Sequence, residues 1–167
     1  MVFPEEFLRF LSPKADRLGE LCALLSKRGL SYRLLVIGER RHVLVRLGRG
    51  SPRFIVSAHY DRVPGSPGFL DNSAACLELA DFGERVVARA IAKVGIAKVG
   101  IAERSSAPEL RSPERSSEGL FLLFTDGEEA PGTGGPLDQG SYALSLALKA
   151  ALGGEAIAGL SGFLVVD

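Results

Sequence analysis

Leu18, Leu21, Cys22 and Leu25 recur at i, i+3, i+4 and i+7 within residues 13–28, the apolar stripe of an amphipathic helix, and Gly29 marks its stop. Three β-like stretches follow at 32–37, 42–47 and 54–58. They are separated by Gly38-Glu39-Arg40-Arg41 and by Gly48-Arg49-Gly50-Ser51-Pro52, so the first two predict a hairpin. Phe54-Ile55-Val56-Ser57-Ala58 lacks polar alternation, as a strand covered on both faces does, and it runs directly into His59. After a Pro/Gly loop at 63–68, residues 72–89 predict a helix with Cys76, Leu79, Ala80, Phe82 and Val86 facing a sheet. A second buried strand at 120–125 ends on Asp126-Gly127-Glu128-Glu129. A glycine- and proline-dense loop, a helix at 142–152 and a last apolar run at 163–166 lead to Asp167. Helices alternating with buried strands predict an α/β fold, three α/β/α layers around a mixed central sheet.

One stretch breaks this rhythm. Ala92-Lys93-Val94-Gly95-Ile96 repeats at once as Ala97-Lys98-Val99-Gly100-Ile101, and Glu103-Arg104-Ser105-Ser106 recurs as Glu114-Arg115-Ser116-Ser117. Two copies of five residues cannot stack into a solenoid, and the Ser/Pro/Arg/Glu composition that follows cannot offset the entropy of ordering. Residues 92–118 are therefore expected to be a disordered insertion within a single domain spanning 1–167.

Length and composition narrow the function. At 167 residues, 46% hydrophobic and 24% charged, the chain has room for one globular domain. Twenty basic residues balance twenty acidic ones, so no positive excess draws nucleic acid or an anionic membrane. Apolar runs such as 120–124 fall far short of the ~20 residues a spanning helix needs. The start, Met1-Val2-Phe3-Pro4-Glu5-Glu6, is unlike an export signal, and the expected location is cytoplasmic. In that reducing compartment Cys22 and Cys76 read as buried thiols.

Chemistry gathers where strands end. His59-Tyr60-Asp61, Asp71-Asn72, Asp126-Gly127-Glu128-Glu129 and the closing Asp167 all supply imidazole nitrogen or carboxylate oxygen, the donors zinc takes. Asp61 is placed to receive the other ring proton of His59, and paired acids let one bind metal while the other acts as a base. Each piece alone has a plainer meaning: a polar strand end at His59, a helix N-cap at Asp71, a solvated turn at 126–129, an exposed terminus at Asp167. Order and spacing together favour the metal.

His59-x-Asp61, Gly68-x-x-Asp71-Asn72, a helix, an apolar strand into Glu128-Glu129 and a later Gly140-Ser141-Tyr142 resemble the zinc aminopeptidase family of bacterial leucyl aminopeptidase and aminopeptidase Y, co-catalytic dizinc exopeptidases. The resemblance covers roughly residues 31–167. It implies a zinc-exopeptidase fold, incomplete at its C-terminal end, and removal of N-terminal residues from peptide substrates. Asp71 would bridge two zinc ions, His59 and Asp167 would hold one, and Glu129 the other. Asp61 would orient His59, Glu128 would be the general base, and the Asp71-Asn72 bond would be cis.

The departures are specific. Ser73-Ala74-Ala75-Cys76 replaces the family's Ser-Gly after Asp-Asn, Ala130 follows the paired acids in place of Gly, and the loop at 131–140 is long. Asp126-Gly127-Glu128-Glu129-Ala130 with a long loop before Gly140-Ser141 also resembles the related glutaminyl cyclases, single-zinc acyltransferases. The family's second ligand histidine has no counterpart here, since His42 lies upstream of the whole constellation. On that count the second zinc has two protein ligands, and a non-catalytic remnant is the third reading.

Overall fold

The computed structural model describes residues 4–12, 14–50, 52–63, 65, 66, 68–102, 119–129, 145, 148, 149, 153, 154 and 158–166. They form helices α1 (Glu5–Leu11), α2 (Arg17–Lys27) and α3 (Ala75–Ala102) and strands β1 (Tyr32–Ile37), β2 (Arg40–Leu47), β3 (Pro52–His59), β4 (Gly119–Thr125) and β5 (Gly162–Val165). The strands make one mixed sheet in the order β1-β2-β4-β3-β5. β1, β2 and β4 pair antiparallel, whereas β3 pairs parallel with both β4 and β5. The α/β class with a mixed sheet is as the sequence pattern predicts.

α2 shows why this segment folds as it does. Its stripe, completed by Leu24, buries Leu21, Leu24 and Leu25, each contributing about 1.5–3 kcal/mol. It ends in a Schellman motif: Gly29 turns to φ 67°, its N–H donates to Ser26, and the Leu30 N–H reaches back to Leu25. Leu30 then enters the core beside the helix it terminates.

Alternation along the strands separates two cores. Val43, Val45, Leu47, Leu122 and Phe124 meet α2 and α3 on one face, with Leu21, Leu25, Cys76 and Leu79. Leu44, Ile55, Phe121 and Leu123 pack with Leu148 on the other. Among the described residues no helix is long and apolar enough to cross a membrane.

Three boundaries differ from expectation. α1 carries no long periodic stripe, yet Phe7 and Phe10 bury it against the domain. The hairpin turn is tighter than the four-residue loop read from sequence, because Gly38 takes φ 57° and pairing begins at Ile37 and Arg40. α3 starts at Ala75, since residues 69–74 form an irregular turn with non-helical Asp71 and Asn72, and it continues to Ala102, not Arg89. The predicted insertion is thus helical over 92–102: Ala, Lys, Val and Ile tolerate a helix, with Gly95 and Gly100 each costing about 1 kcal/mol relative to Ala. Residues 103–118, most of the predicted helix at 142–152, Gly140-Ser141-Tyr142 and Asp167 lie outside the described residues.

Candidate metal centre

The carboxyl ends of β3, β4 and β5 lie along one edge of the sheet, the edge at which open α/β folds bind ligands. His59 closes β3 and is 5% exposed. Its Nε2 lies 2.8 Å from Asp71 Oδ1, in the turn that leads to α3, and its Nδ1 lies 3.4 Å from Asp61 Oδ1. The Asp71-Asn72 bond is cis. Asn72, fully buried, donates from Nδ2 to the carbonyl of Val166 at 2.8 Å, which brings the end of β5 to the same turn.

The acidic loop after β4 is gripped from two sides. Asp61 Oδ2 accepts the Glu129 N–H at 2.8 Å. Across the sheet, His42 Nδ1 accepts the Asp126 N–H at 3.2 Å, and Asp126 Oδ2 accepts the Arg41 N–H at 3.1 Å. Burial holds His42 below the usual histidine range, in keeping with a neutral acceptor ring. Gly127 turns with φ 86° beneath the Arg40 guanidinium, where a Cβ would sit 2.5 Å from Arg40 Cζ. Only glycine fits there without strain. The loop delivers one donor atom each from Glu128 and Glu129 to within 4.8 Å of each other and of a His59 ring nitrogen.

These donors suit a cation. Their 4.8 Å limit is wider than the ~3.4 Å ligand–ligand edge of a tetrahedral zinc site, so side-chain movement on the order of 1 Å brings any two of them onto one ion. The charge balance points the same way. Burial, then a hydrogen bond to Asp71, then the charges of Asp71 and Glu128 push Glu129 above the ordinary carboxylate range. Burial opposes a charge on His59, but pairing with Asp61 and the charges of Asp61, Glu128 and Asp71 outweigh it and push the ring up to about 9. Burial would likewise raise Asp61, yet His59 and the N–H groups of Glu129 and Glu128 hold it low. The acids outnumber the one imidazole, so an added positive charge would be favoured among them. One imidazole nitrogen among carboxylates is a donor set that can hold a divalent metal ion.

The structure therefore brings together His59, Asp61, Asp71, Glu128 and Glu129, all named from the sequence. Contacts that no pattern announced sit behind them. The buried Cys76 thiol donates to the His59 carbonyl at 3.2 Å. The buried Arg17 reaches Tyr60 and Ser73. Long-range hydrogen bonds to main chain leave no periodic trace in a sequence.

Residues 42–151 match peptidase family M28. This span is more than half of the chain, and it contains every described residue of the cluster: the chain belongs to peptidase family M28. No curated protein matches. Among solved structures, the crystal structure of Legionella LapA is similar at TM-score 0.59 and 12% identity, over 98% of this chain and 42% of LapA. The likeness supports the shared fold, and the chain spans less than half the length of that protein.

Proposed function

We propose that the chain is a zinc-dependent aminopeptidase that removes N-terminal residues from peptides. The observation that carries this reading is the contact of His59 Nε2 with Asp71 Oδ1 at 2.8 Å, beside the paired acids Glu128 and Glu129, in a chain of peptidase family M28. Two ligand atoms at that spacing are close to the ~3.4 Å edge of a tetrahedral zinc site.

In this reading His59, Asp71 and Asp167 would hold one zinc ion, and Asp71 and Glu129 would hold a second. Bound zinc supplies Lewis acidity, polarising the scissile carbonyl and lowering the pKa of water. Asp61 keeps the His59 ring oriented and leaves Nε2 as the donor. Glu128, exposed to solvent, accepts the proton of the attacking water at its carboxylate and returns it to the departing amine nitrogen. Water and a peptide become a free amino acid and a peptide shorter by one residue.

The test pairs chemistry with metal counting. Aminoacyl-anilides should be hydrolysed with zinc and spared after chelation, and mass spectrometry should count bound zinc. Cyclisation of N-terminal glutaminyl peptides without anilide hydrolysis would replace this reading with the cyclase. Absence of zinc binding at micromolar concentration would overturn the metal reading itself.

A further inference from the structure

Arg17, at the start of α2, is 8% exposed, and α2 contributes no ligand to the candidate metal centre. Its Nε donates to the carbonyl of Tyr60, the residue between His59 and Asp61. One terminal nitrogen donates to the hydroxyl of Ser73, two residues past Asp71, at 2.9 Å and to the carbonyl of Phe10 at 3.1 Å. The guanidinium lies 3.9 Å above the Phe10 ring. Ser73 in turn donates to the carbonyl of Gly68, closing the turn that carries Asp71. Burial pulls the Arg17 pKa down only to about 10, so the side chain is charged near neutral pH.

Burying a guanidinium costs several kcal/mol before hydrogen bonds offset it, and an apolar residue of similar volume would commonly be as stable or more so. The position of its donors suggests what the charge is for. The two limbs of the cluster, the end of β3 and the turn before α3, meet directly through the His59–Asp71 contact. That contact is the one an incoming metal ion would break, because both atoms would then turn to the ion. The Arg17 bridge from Tyr60 to Ser73 uses none of the ligand atoms and survives metal entry.

We propose that Arg17 is a positioning residue: it clamps the His59-Tyr60-Asp61 strand end to the Asp71-Asn72-Ser73 turn, so that the donors of the two limbs remain convergent on a metal ion. The inference rests on the metal reading of the cluster. Its fork geometry matters as much as its charge, since a lysine ammonium presents a point charge where the guanidinium presents donors at fixed angles.

The experiment is a zinc titration against a chromophoric chelator, with zinc alone as the probe, below the melting temperature of each variant. Arg17→Lys and Ser73→Ala should each weaken zinc binding about 10–100-fold, the range seen when residues supporting metal ligands are lost. The double variant should bind no more weakly than Arg17→Lys, because both substitutions open one bridge. Leu21→Ala, in the core of α2, lowers stability without touching the bridge and should leave zinc affinity within about twofold of the original. Additive losses, Arg17→Lys binding like the original chain, or an equal loss in Leu21→Ala would each overturn the clamp. If Arg17→Lys does not fold, Ser73→Ala decides, a tenfold loss supporting the clamp and an unchanged affinity overturning it. Failure of the underlying metal reading shows separately: the original chain and His59→Ala would then bind zinc equally poorly.

Discussion

The main-chain N–H of Glu129 donates to Asp61 Oδ2 at 2.8 Å, while Oδ1 of the same carboxylate lies 3.4 Å from His59 Nδ1. One side chain at the end of β3 thus faces a candidate metal ligand of its own strand and holds the acidic loop that follows β4. The two strands run parallel, with His59 opposite Thr125, so both limbs leave the sheet in the same direction and a carboxylate spans the gap.

Asp61→Asn tests that link. The amide oxygen can still accept the Glu129 N–H, so the loop should keep its place, but the negative charge facing His59 is lost. Zinc affinity is expected to fall about 10–100-fold, with a change in unfolding free energy below about 1 kcal/mol. Chelator competition and thermal unfolding read the two effects separately. Unchanged zinc binding would show that Asp61 serves the loop and not the histidine.

Glu128 and Glu129 each bring a carboxylate oxygen within 4.8 Å of a His59 ring nitrogen, yet their surroundings differ. Glu128 is exposed, whereas Glu129 is half-buried and shares a hydrogen bond with Asp71. Glu128→Gln should therefore retain zinc and lose turnover of an aminoacyl-anilide by about 10²–10⁴-fold. Glu129→Gln should lose zinc. Equal losses of metal in the two variants would remove the distinction between base and ligand.

Much of this site was legible because its residues end apolar strands. A run such as Phe121-Leu122-Leu123-Phe124 must lie within a sheet, and the polar residues that follow it must emerge at the edge. The α2 stripe and the β1–β2 hairpin were legible for a related reason, since burial repeats with the period of the element. Other features are set by contacts between distant segments. Nothing near Phe163 marks β5 for parallel pairing with β3, and nothing near Arg17 marks its reach to Tyr60 and Ser73. α1 is short enough that Phe7 and Phe10, not periodicity, define it. Residues 92–101 do not share the Ser/Pro/Arg/Glu composition of the stretch that follows, and their Ala, Lys, Val and Ile let α3 run on through them.

The two cysteines should differ in reactivity. Cys76 is fully buried, its thiol donates to the His59 carbonyl, and burial pushes its pKa up to about 12, so almost no thiolate forms near neutral pH. Cys22, on α2, is partly exposed. A chromogenic disulfide reagent at pH 8 should titrate one thiol in the native chain and the second only on unfolding. Rapid reaction of both would show that the α3–β3 contact opens readily. Cys76→Ala removes the donor to His59 and is expected to cost about 1–3 kcal/mol through that bond and the space left behind.

The dependence on pH has opposite signs without and with metal. His59 carries a pKa raised from 6.5 to about 9 in the folded chain, so between these values the native state binds a proton that the unfolded chain has released. Stability from this source is fully present below about pH 6.5 and is lost as pH rises through about 9. The metal-free chain should accordingly lose about 1–3 kcal/mol of unfolding free energy across that window. Zinc reverses the trend. The imidazole must be neutral to ligate, so apparent zinc affinity should rise up to tenfold per pH unit until about pH 9. Urea unfolding at pH 6.5 and 9 with chelator, then with saturating zinc, measures both slopes, and His59→Gln should flatten each of them. A metal-free stability that stays flat or climbs between pH 6.5 and 9 would contradict the imidazolium, because the folded chain would then hold no more protons in that window than the unfolded one.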